Sequence, residues 1–181
     1  MRKLILNLAV SLDGFIEGPN GEFDWCFTDQ DYGMKDFLQR IDTIFFGRKS
    51  YEVLLGMEKQ PFPKMKKYVF SRTHTSMEGV SLIQDAAGER VRTIKREPGK
   101  DIWLFGGASL ISSLMQLGLV DEFHLAVHPI LLGSGKHLLS DVQNRIPLKL
   151  LDTKTYSTGL VQSIYRIQKG KTSQTGKSRT K

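Results

Sequence analysis

Short apolar runs recur along the chain and predict strands that are buried in a sheet. The first run, residues 4–10, is nearly continuous in apolar residues, which is typical of a strand covered on both faces. Further runs of this kind stand at residues 43–47, 67–71, 80–83, 101–107 and 121–131. Together they indicate a sheet whose inner strands are covered by other elements.

Segments with helical spacing of apolar residues separate these runs and predict the helices that cover the sheet. They are residues 31–41, 49–57, 85–98, which Pro98 ends, and 108–118, which Gly118 caps. Residues 146–168 carry two strand-like runs around Gly159, which predicts an antiparallel hairpin. The alternation of strands and helices predicts an α/β domain with a mostly parallel sheet, closed by this antiparallel pair.

Composition and charge indicate one globular domain with a basic tail. The 181 residues are 40% hydrophobic and 25% charged, which suffices for a single domain, assigned here to residues 1–169. Residues 170–181 contain no apolar residue, so we expect a disordered tail. The tail holds four of the seven net positive charges, which leaves three for the domain. A solvated end is therefore favoured over a specific nucleic-acid site.

Cysteine usage and the N-terminus indicate a cytoplasmic protein. The lone Cys26 can form neither an internal disulfide nor a cysteine-based zinc site, and a reducing compartment suits it. The apolar run after the basic start is short, contains Asn7 and lacks a small-residue cleavage site, so it does not indicate a signal peptide. No stretch reaches the roughly 18 apolar residues that a membrane-spanning helix needs.

Three of the predicted strands end in glycine, serine or arginine, and two of them lead directly into helices. These ends are Gly47-Arg48, Ser71-Arg72 and Gly106-Gly107-Ala108-Ser109. Free N–H groups at a helix N-terminus bind phosphate, glycine lets it approach the backbone, and arginine donates to its oxygens. One such end is more simply a turn, but the set predicts an extended, phosphate-rich ligand. Its spacing matches neither the common dinucleotide fingerprint nor a Walker loop.

Five motifs in chain order resemble the dihydrofolate reductase-like superfamily. The likeness is greatest to the reductase domain of the bifunctional riboflavin-biosynthesis deaminase/reductase and its stand-alone bacterial relatives. The motifs are SLDGFI, FFGRKSYE, VFSR, LFGGASL and GLVDEFHLAVHPILLGSGKHLL, within the span from Lys3 to Gln168. The resemblance implies a three-layer fold, a cis bond between Gly106 and Gly107, and a homodimer formed through the C-terminal strands. The run 124–132, with apolar residues on both faces, fits such a dimer.

The resemblance also implies a reductase that binds NADPH across the strand ends. By role, the implied contacts are Ala9 and Ile16 beside the nicotinamide, Gly47, Arg48 and Ser50 at the pyrophosphate and a nearby phosphate, Ser71 and Arg72 at the 2′-phosphate, and Gly106, Gly107, Ala108 and Ser109 over the pyrophosphate. Because Arg72 would meet the 2′-phosphate, we expect NADPH to be preferred to NADH.

The implied reaction is hydride transfer to a small pterin-like or pyrimidine-like heterocycle, which also needs a proton donor. In folate reductases a carboxylate on the helix after the first loop assists the protonation. Here Asp29 and Asp31 are the candidates, and Asp24 competes with them. Thr28 and Asp31 also match a capping box, which favours a structural role for Asp31. The zinc motif of the deaminase domain is absent from this sequence, so the substrate stays open.

Other interpretations compete with an active reductase. A domain that has lost catalysis and works as a nucleotide sensor or partner subunit would keep the same phosphate motifs, and a nucleic-acid binder would depend on the tail alone. His124 and His128 could share a strand face, but without a third ligand we expect no metal site. We expect Trp103 in the core, whereas Trp25 fits a pocket border and a core cap equally.

Overall fold

The computed structural model describes residues 1–57, 61–73, 76–140, 142 and 144–168. The strands are β1 (Leu4–Ser11), β2 (Phe15–Glu17), β3 (Ile41–Gly47), β4 (Lys66–Phe70), β5 (Ser81–Ile83), β6 (Asp101–Gly106), β7 (Glu122–His128), β8 (Lys136–His137), β9 (Leu148–Thr155) and β10 (Val161–Ile167). The helices are α1 (Met34–Gln39), α2 (Arg48–Leu55), α3 (Ala87–Arg96) and α4 (Ala108–Gln116). The predicted tail, residues 170–181, lies outside the described residues.

The central sheet has eight strands in the order β5-β4-β3-β6-β1-β7-β10-β9. From β5 to β7 the neighbouring strands are parallel, and β10 runs antiparallel to both β7 and β9. The predicted α/β domain with a mostly parallel sheet and a C-terminal antiparallel hairpin is therefore confirmed. A small second sheet of β2 and β8 was not predicted, because both strands are too short to have an apolar period.

Apolar residues on the two faces of the sheet form two core clusters, which gives the fold three layers. Alternation along β1 directs Leu4 and Leu6 to one face and Ile5 to the other. The first cluster joins the sheet to α3 and α4, with Ile111 fully buried, and the second joins it to α1 and α2, with Phe37 at 5% exposure. No helix in the described ranges is long and apolar enough to cross a membrane.

Buried polar groups within the sheet and at its amino edge have partners inside the fold. Trp103 lies in the core as predicted, and its indole Nε1 donates to the Asn7 carbonyl oxygen at 2.9 Å. Arg2 is buried, and its guanidinium donates to Asp42 and, at 2.6 Å, to the Thr43 hydroxyl. Losing Asp42 would leave the buried Arg2 charge uncompensated, so this ion pair holds the amino edge together.

Helix α1 begins three residues later than its apolar spacing predicted. Tyr32 and Gly33 both adopt positive φ, 41° and 78°, which cannot be part of a right-handed helix. The predicted capping box with Thr28 is therefore wrong. Asp31 nevertheless caps the helix, because its carboxylate accepts a hydrogen bond from the Lys35 backbone N–H at 3.0 Å. The structural role predicted for Asp31 is confirmed by this contact.

Two other predicted elements are each four residues shorter in the structure, with 7 residues against 11 for β7 and 10 against 14 for α3. Strand β7 ends at His128, three residues before the apolar run ends, because Pro129 has no backbone N–H to donate. The predicted helix 85–98 is reduced to α3, since Ala86 has a positive φ of 49° at its N-terminus and Glu97 is extended at its C-terminus.

Candidate active site

The ends of β3 and β6 approach each other closely where each strand leads into a helix. A Cβ atom on Gly47 would lie 3.0 Å from the Gly107 backbone nitrogen and 3.3 Å from the Gly106 carbonyl oxygen. Close packing therefore favours glycine at position 47, because a Cβ there would meet backbone atoms that would have to shift. The Ser50 hydroxyl lies against the same point, 3.2 Å from where a Cβ of Gly107 would stand. The Gly106-Gly107 bond is cis, which confirms that prediction.

Two helix N-termini meet at this contact, and no side-chain hydrogen bond caps either of them. Helix α2 begins after Gly47 and α4 begins after Gly107, with Ala108 buried and Ser109 exposed in its first turn. The first N–H groups of each helix lack intrahelical partners, and the aligned peptide dipoles place partial positive charge there. The two junctions, together called the helix-start pair below, suit an anion such as a pyrophosphate.

Arg48 lies at the start of α2, but its guanidinium is bound to Glu52 one turn along the helix. Its Nη1 atom lies 2.7 and 2.8 Å from the two carboxylate oxygens. An exposed pair at this spacing contributes only about 0.3–0.5 kcal/mol. A hydrogen bond to a charged group contributes about 1.5–3 kcal/mol, so a phosphate can displace Glu52 from Arg48.

Ser71 and Arg72 follow β4, two strands away from β6 in the sheet. Ser71 is buried, and its N–H donates to the Ile83 carbonyl oxygen at 3.1 Å, while its hydroxyl accepts from the Thr73 N–H at 3.3 Å. Arg72 is exposed beside it. With strands about 4.8 Å apart, the β4 end lies about 10 Å from the β6 end. The predicted contacts thus form a row that suits an extended ligand.

Two small, partly exposed side chains lie on the α1 side of the sheet next to this row. Ala9 in β1 is paired with Ala126 in β7, and both are only half-buried although their strands are central. The flanking pairs in the same register, Asn7–His124 and Ser11–His128, consist of buried residues. Because alanine side chains are small, we infer that this part of the face has room for a ring. The part of the face around Ala9 and Ala126 is called the alanine hollow below.

Three residues of the alanine hollow were not indicated as site residues by the sequence. Ala126 and His128 lie on β7, and Gln162 pairs with Ala126 across β10, where its amide nitrogen donates to the Tyr32 carbonyl oxygen at 3.4 Å. Ala126 and His128 lie within the fifth motif, but its local pattern does not mark them as residues of a substrate site. Only the two-residue period of paired strands, once their register is known, brings them beside Ala9.

Ile16 and Ala9, the two residues implied to flank the nicotinamide, do not lie on one face. Ile16 on β2 packs against the cluster on the α3 and α4 side, whereas Ala9 faces the α1 side. Strand β2 is held there by the loop before β8, where a Cβ on Gly135 would lie 2.2 Å from the Glu17 carbonyl oxygen. The Gly-Ser-Gly run therefore packs this loop against β2, which explains Gly135 without a ligand.

The Asp13 carboxylate links the end of β1 to the loop before β8. It accepts hydrogen bonds from the Ser11 hydroxyl at 2.6 Å, the Gly133 N–H at 2.8 Å and the Leu132 N–H at 3.2 Å. These donors, Ser11 first, favour the ionised form and lower the pKa of Asp13 to about 2. This loop is thus anchored to the end of β1 through one carboxylate.

The candidate proton donors lie in residues 23–32, which connect β2 to α1 and are called the substrate-side segment below. Asp29 is exposed and accepts a hydrogen bond from the Tyr32 hydroxyl at 2.6 Å. Asp31 is exposed and bonds the helix backbone at Lys35, whereas Asp24 is exposed near the start of the segment. The two main candidates therefore differ in their partners. The Asp31 carboxylate accepts from the backbone of α1, whereas the Asp29 carboxylate accepts from the Tyr32 side chain.

Trp25 lies in the substrate-side segment and belongs to neither core cluster. Its ring meets His128 edge-on, with ring centroids 5.2 Å apart. Its indole Nε1 is buried, and the described residues supply no acceptor for it. Trp25 therefore packs against His128 outside both core clusters, and its place at the border of a substrate pocket stays a prediction.

The described residues contain no group of three histidine, cysteine, aspartate or glutamate side chains that could hold a metal ion. His124 and His128 share a face of β7, but four residues of strand separate them by about 13 Å, too far to share an ion.

The chain is similar to known proteins in family, in sequence and in structure. The model of the RibD C-terminal domain family matches residues 2–162. The protein YyaP of Bacillus subtilis (strain 168) is 51% identical over 178 residues, which cover 91% of this chain and 94% of YyaP. The protein YwjB of the same organism is 37% identical over 161 residues, which cover 86% and 92% of the two chains.

Two solved structures illustrate the fold. A protein assigned to riboflavin biosynthesis from Shewanella sp. PV-4 has a TM-score of 0.82 at 22% identity, covering 92% of this chain and 99% of its own. A dihydrofolate reductase from Enterococcus faecalis, complexed with NADP(H), has a TM-score of 0.69 at 16% identity, covering 91% and 96%. These likenesses confirm the predicted dihydrofolate reductase-like fold, and the family match supports a reductase-type activity. The chain belongs to the RibD C-terminal domain family.

Proposed function

We propose that the protein is an NADPH-dependent reductase of a small pterin-like or pyrimidine-like heterocycle. The observation that carries the proposal is the helix-start pair, two uncapped helix N-termini in contact, lying next to the alanine hollow. The pair suits a pyrophosphate, and the hollow suits a flat ring. The NADP(H) complex of a dihydrofolate reductase with the same fold supports this choice of cofactor.

The residues proposed to hold the cofactor follow the row of strand ends. Backbone N–H groups at Gly47, Gly107 and Ala108 would donate to the pyrophosphate, with the Ser50 hydroxyl beside them. Arg48 would exchange Glu52 for a phosphate oxygen, and Ser71 with Arg72 would bind the 2′-phosphate. Ala9 would form the floor under the nicotinamide. NADPH, when bound, would supply the hydride.

The substrate is proposed to lie in the alanine hollow under the substrate-side segment. Ala9 and Ala126 leave room for a ring, and the Gln162 amide stands at the edge, where it can pair with a heterocyclic amide. Asp29 and Asp31 are the candidates for the proton donor. Because the Asp31 carboxylate already accepts a hydrogen bond from the helix backbone, we assign the role of proton donor to Asp29.

A nucleotide-binding domain without catalysis is the second candidate, and one observation favours it. Both Asp29 and Asp31 are engaged in local hydrogen bonds, while the helix-start pair needs neither of them. A sensor or partner subunit would then keep the nucleotide site alone.

Cofactor binding and turnover, measured in parallel, test the proposal. NADPH binding is followed by calorimetry, and NADPH oxidation is assayed with pterins, folates and phosphoribosyl pyrimidines. We expect saturable binding and oxidation with at least one of these classes. Binding without any oxidation would support the sensor function, and absence of NADPH binding would contradict both candidates.

The two aspartates provide a matched pair of variants for this assay. Asp29→Asn is expected to lower kcat by about 10²- to 10⁴-fold, the usual contribution of a general acid, with the NADPH Kd unchanged. Asp31→Asn is expected to lower thermal stability by weakening the cap of α1, with less effect on kcat. The reverse pattern would assign the proton to Asp31.

We also propose a cytoplasmic location. Cys26 is half-buried, and burial, with a smaller contribution from Asp24, raises its pKa to about 11. A thiol so weakly ionised suits a structural cysteine. The proposed location rests on the single cysteine of the sequence, which can form no internal disulfide.

A further inference from the structure

His128 lies at the end of β7, is only 2% exposed and has a partner at each ring nitrogen. Its Nε2 atom accepts a hydrogen bond from the Phe27 backbone N–H at 3.1 Å, and its Nδ1 lies 3.0 Å from the Ala126 carbonyl oxygen. Because a backbone N–H can only donate, Nε2 carries no proton, and the ring proton is on Nδ1 and donates to Ala126. These partners therefore assign a neutral imidazole in a single tautomer.

The first half of the substrate-side segment packs against the His128 ring. Trp25 and Phe27 contact it with ring centroids 5.2 and 5.0 Å away. The segment has no helix or strand of its own. Its second half is held by Tyr32, whose hydroxyl lies 3.2 Å from the Thr158 hydroxyl. Side chains thus hold both halves of the segment. Among the described residues, the His128 ring is the side chain that accepts a hydrogen bond from the segment's backbone near Trp25.

We propose that His128 is a positioning residue for the substrate side of the site. Its imidazole fixes the Phe27 backbone and the Trp25 indole, and so sets where Asp29 stands relative to the alanine hollow. The inference rests on the proposed reductase function, which makes this segment the substrate side. The register supports it, because the pair Ser11–His128 follows the two alanines on the same face of β1 and β7.

Protonation of His128 would break this anchor, since Nε2–H and the Phe27 N–H would then face each other. Burial lowers the pKa of His128 below its ordinary value of 6.5, and the Ala126 carbonyl opposes this with a smaller effect. The titratable groups on the elements packed around it are Asp24, Cys26, Asp29 and Tyr32 in the segment and Asp13 beyond Ser11. Among the described residues none of these groups is a cause of the shift.

Two amide substitutions separate the two hydrogen bonds of the ring. His128→Gln places an amide oxygen near the position of Nε2 and keeps an acceptor for Phe27. His128→Asn places its amide near the position of Nδ1, so it keeps the bond to Ala126 and leaves the Phe27 N–H unpaired. If His128 positions the segment, the Asn variant loses about ten-fold or more in kcat/KM, mainly through kcat, whereas the Gln variant retains most activity. The NADPH Kd stays unchanged in both.

Two readouts without turnover accompany the kinetics. Amide exchange of Phe27, measured by NMR, should accelerate in the Asn variant and not in the Gln variant. Indole fluorescence should fall on acidification below the ordinary histidine pKa, because a protonated imidazole quenches an adjacent indole. That fall should vanish in Trp25→Phe and in both His128 variants.

The outcomes are distinct. Equal kinetics and equal Phe27 exchange in the Asn and Gln variants would overturn the inference, and so would a Phe27 exchange rate that neither variant changes. If the protein binds no NADPH, the proposed function fails, whereas Phe27 exchange and the fluorescence titration still decide whether His128 holds the segment.

Discussion

At the residue scale, the proposed cofactor preference depends on Arg72, an exposed arginine at the end of β4. Its guanidinium is expected to bind the 2′-phosphate, and one hydrogen bond between charged groups contributes about 1.5–3 kcal/mol. Arg72→Ala should therefore weaken NADPH binding by about ten- to hundred-fold and leave NADH binding unchanged. Both Kd values are measured at fixed ionic strength, because salt screens the charge.

The matched control for Arg72 is Arg96→Ala, which removes an exposed arginine from the last turn of α3. It should change neither Kd. If Arg72→Ala weakens both cofactors equally, the arginine serves the fold or the pyrophosphate, and the proposed 2′-phosphate contact is wrong.

A second prediction at this scale concerns Glu52, which occupies the Arg48 guanidinium through both carboxylate oxygens. Glu52→Gln should release Arg48 and tighten NADPH binding by up to about five-fold. This factor corresponds to the free energy of an exposed ion pair, at most about 1 kcal/mol. Glu89→Gln in the first turn of α3 makes the same charge change away from the site and serves as control. Equal tightening by both variants would indicate a general effect of net charge.

At the element scale, Asp13 links the exit of β1 to the loop before β8, and this link should depend on pH. Since its pKa is lowered to about 2 in the folded protein, ionised Asp13 stabilises the fold above its ordinary value of 3.8. That stability is lost as the pH falls from about 4 towards about 2. Asp13→Asn should therefore lower Tm near neutral pH and reduce the loss of Tm on acidification. Thermal unfolding followed by circular dichroism across this range measures both effects.

Asp85→Asn is the control for this prediction, because Asp85 is exposed and lies between β5 and α3, away from the β1 exit. If the two variants show the same dependence of Tm on pH, the Asp13 contacts to the loop do not contribute to stability.

At the scale of the whole molecule, we propose a homodimer formed through the C-terminal strand β9. The run 124–132 does not provide the interface as a strand, because β7 lies between β1 and β10. Its apolar residues on both faces follow from burial within the sheet. Strand β9 is the edge of the sheet, all eight of its residues are exposed, and Leu148, Leu150 and Leu151 are among them. The unpaired backbone groups of an edge strand are a template for pairing with another strand, and the three leucines would add apolar contacts.

Leu150→Asp should convert the dimer to a monomer, because it places a charge in the proposed interface. Leu131→Asp is the matched control, since Leu131 is 69% exposed but lies in the loop after β7. Sedimentation velocity at micromolar protein separates the outcomes. A wild-type protein that sediments as a monomer contradicts the dimer. If only Leu131→Asp dissociates the dimer, the interface lies at that loop and not at β9.

Elements whose determinants are local were predictable from the sequence by itself. The buried strands follow from continuous apolar runs, and the C-terminal hairpin from the turn near Gly159, which has a positive φ of 85°. The strand ends at Gly47 and Gly106 were recognised as special because glycine followed by a helix is a local pattern. The start of α1 was misplaced, because the positive φ of Tyr32 has no signature in the apolar spacing.

The geometry of the candidate site was decided only by the tertiary structure. The contact of Gly47 with Gly107, the pairing of Ala9 with Ala126, and the position of His128 beneath Trp25 join residues that are far apart in the chain. Such contacts depend on strand order and register, and a shift of register by one residue would turn each side chain to the opposite face. The sequence by itself therefore determined which strand ends are candidates for binding phosphate, and the packed sheet decided which side chains stand together beside them.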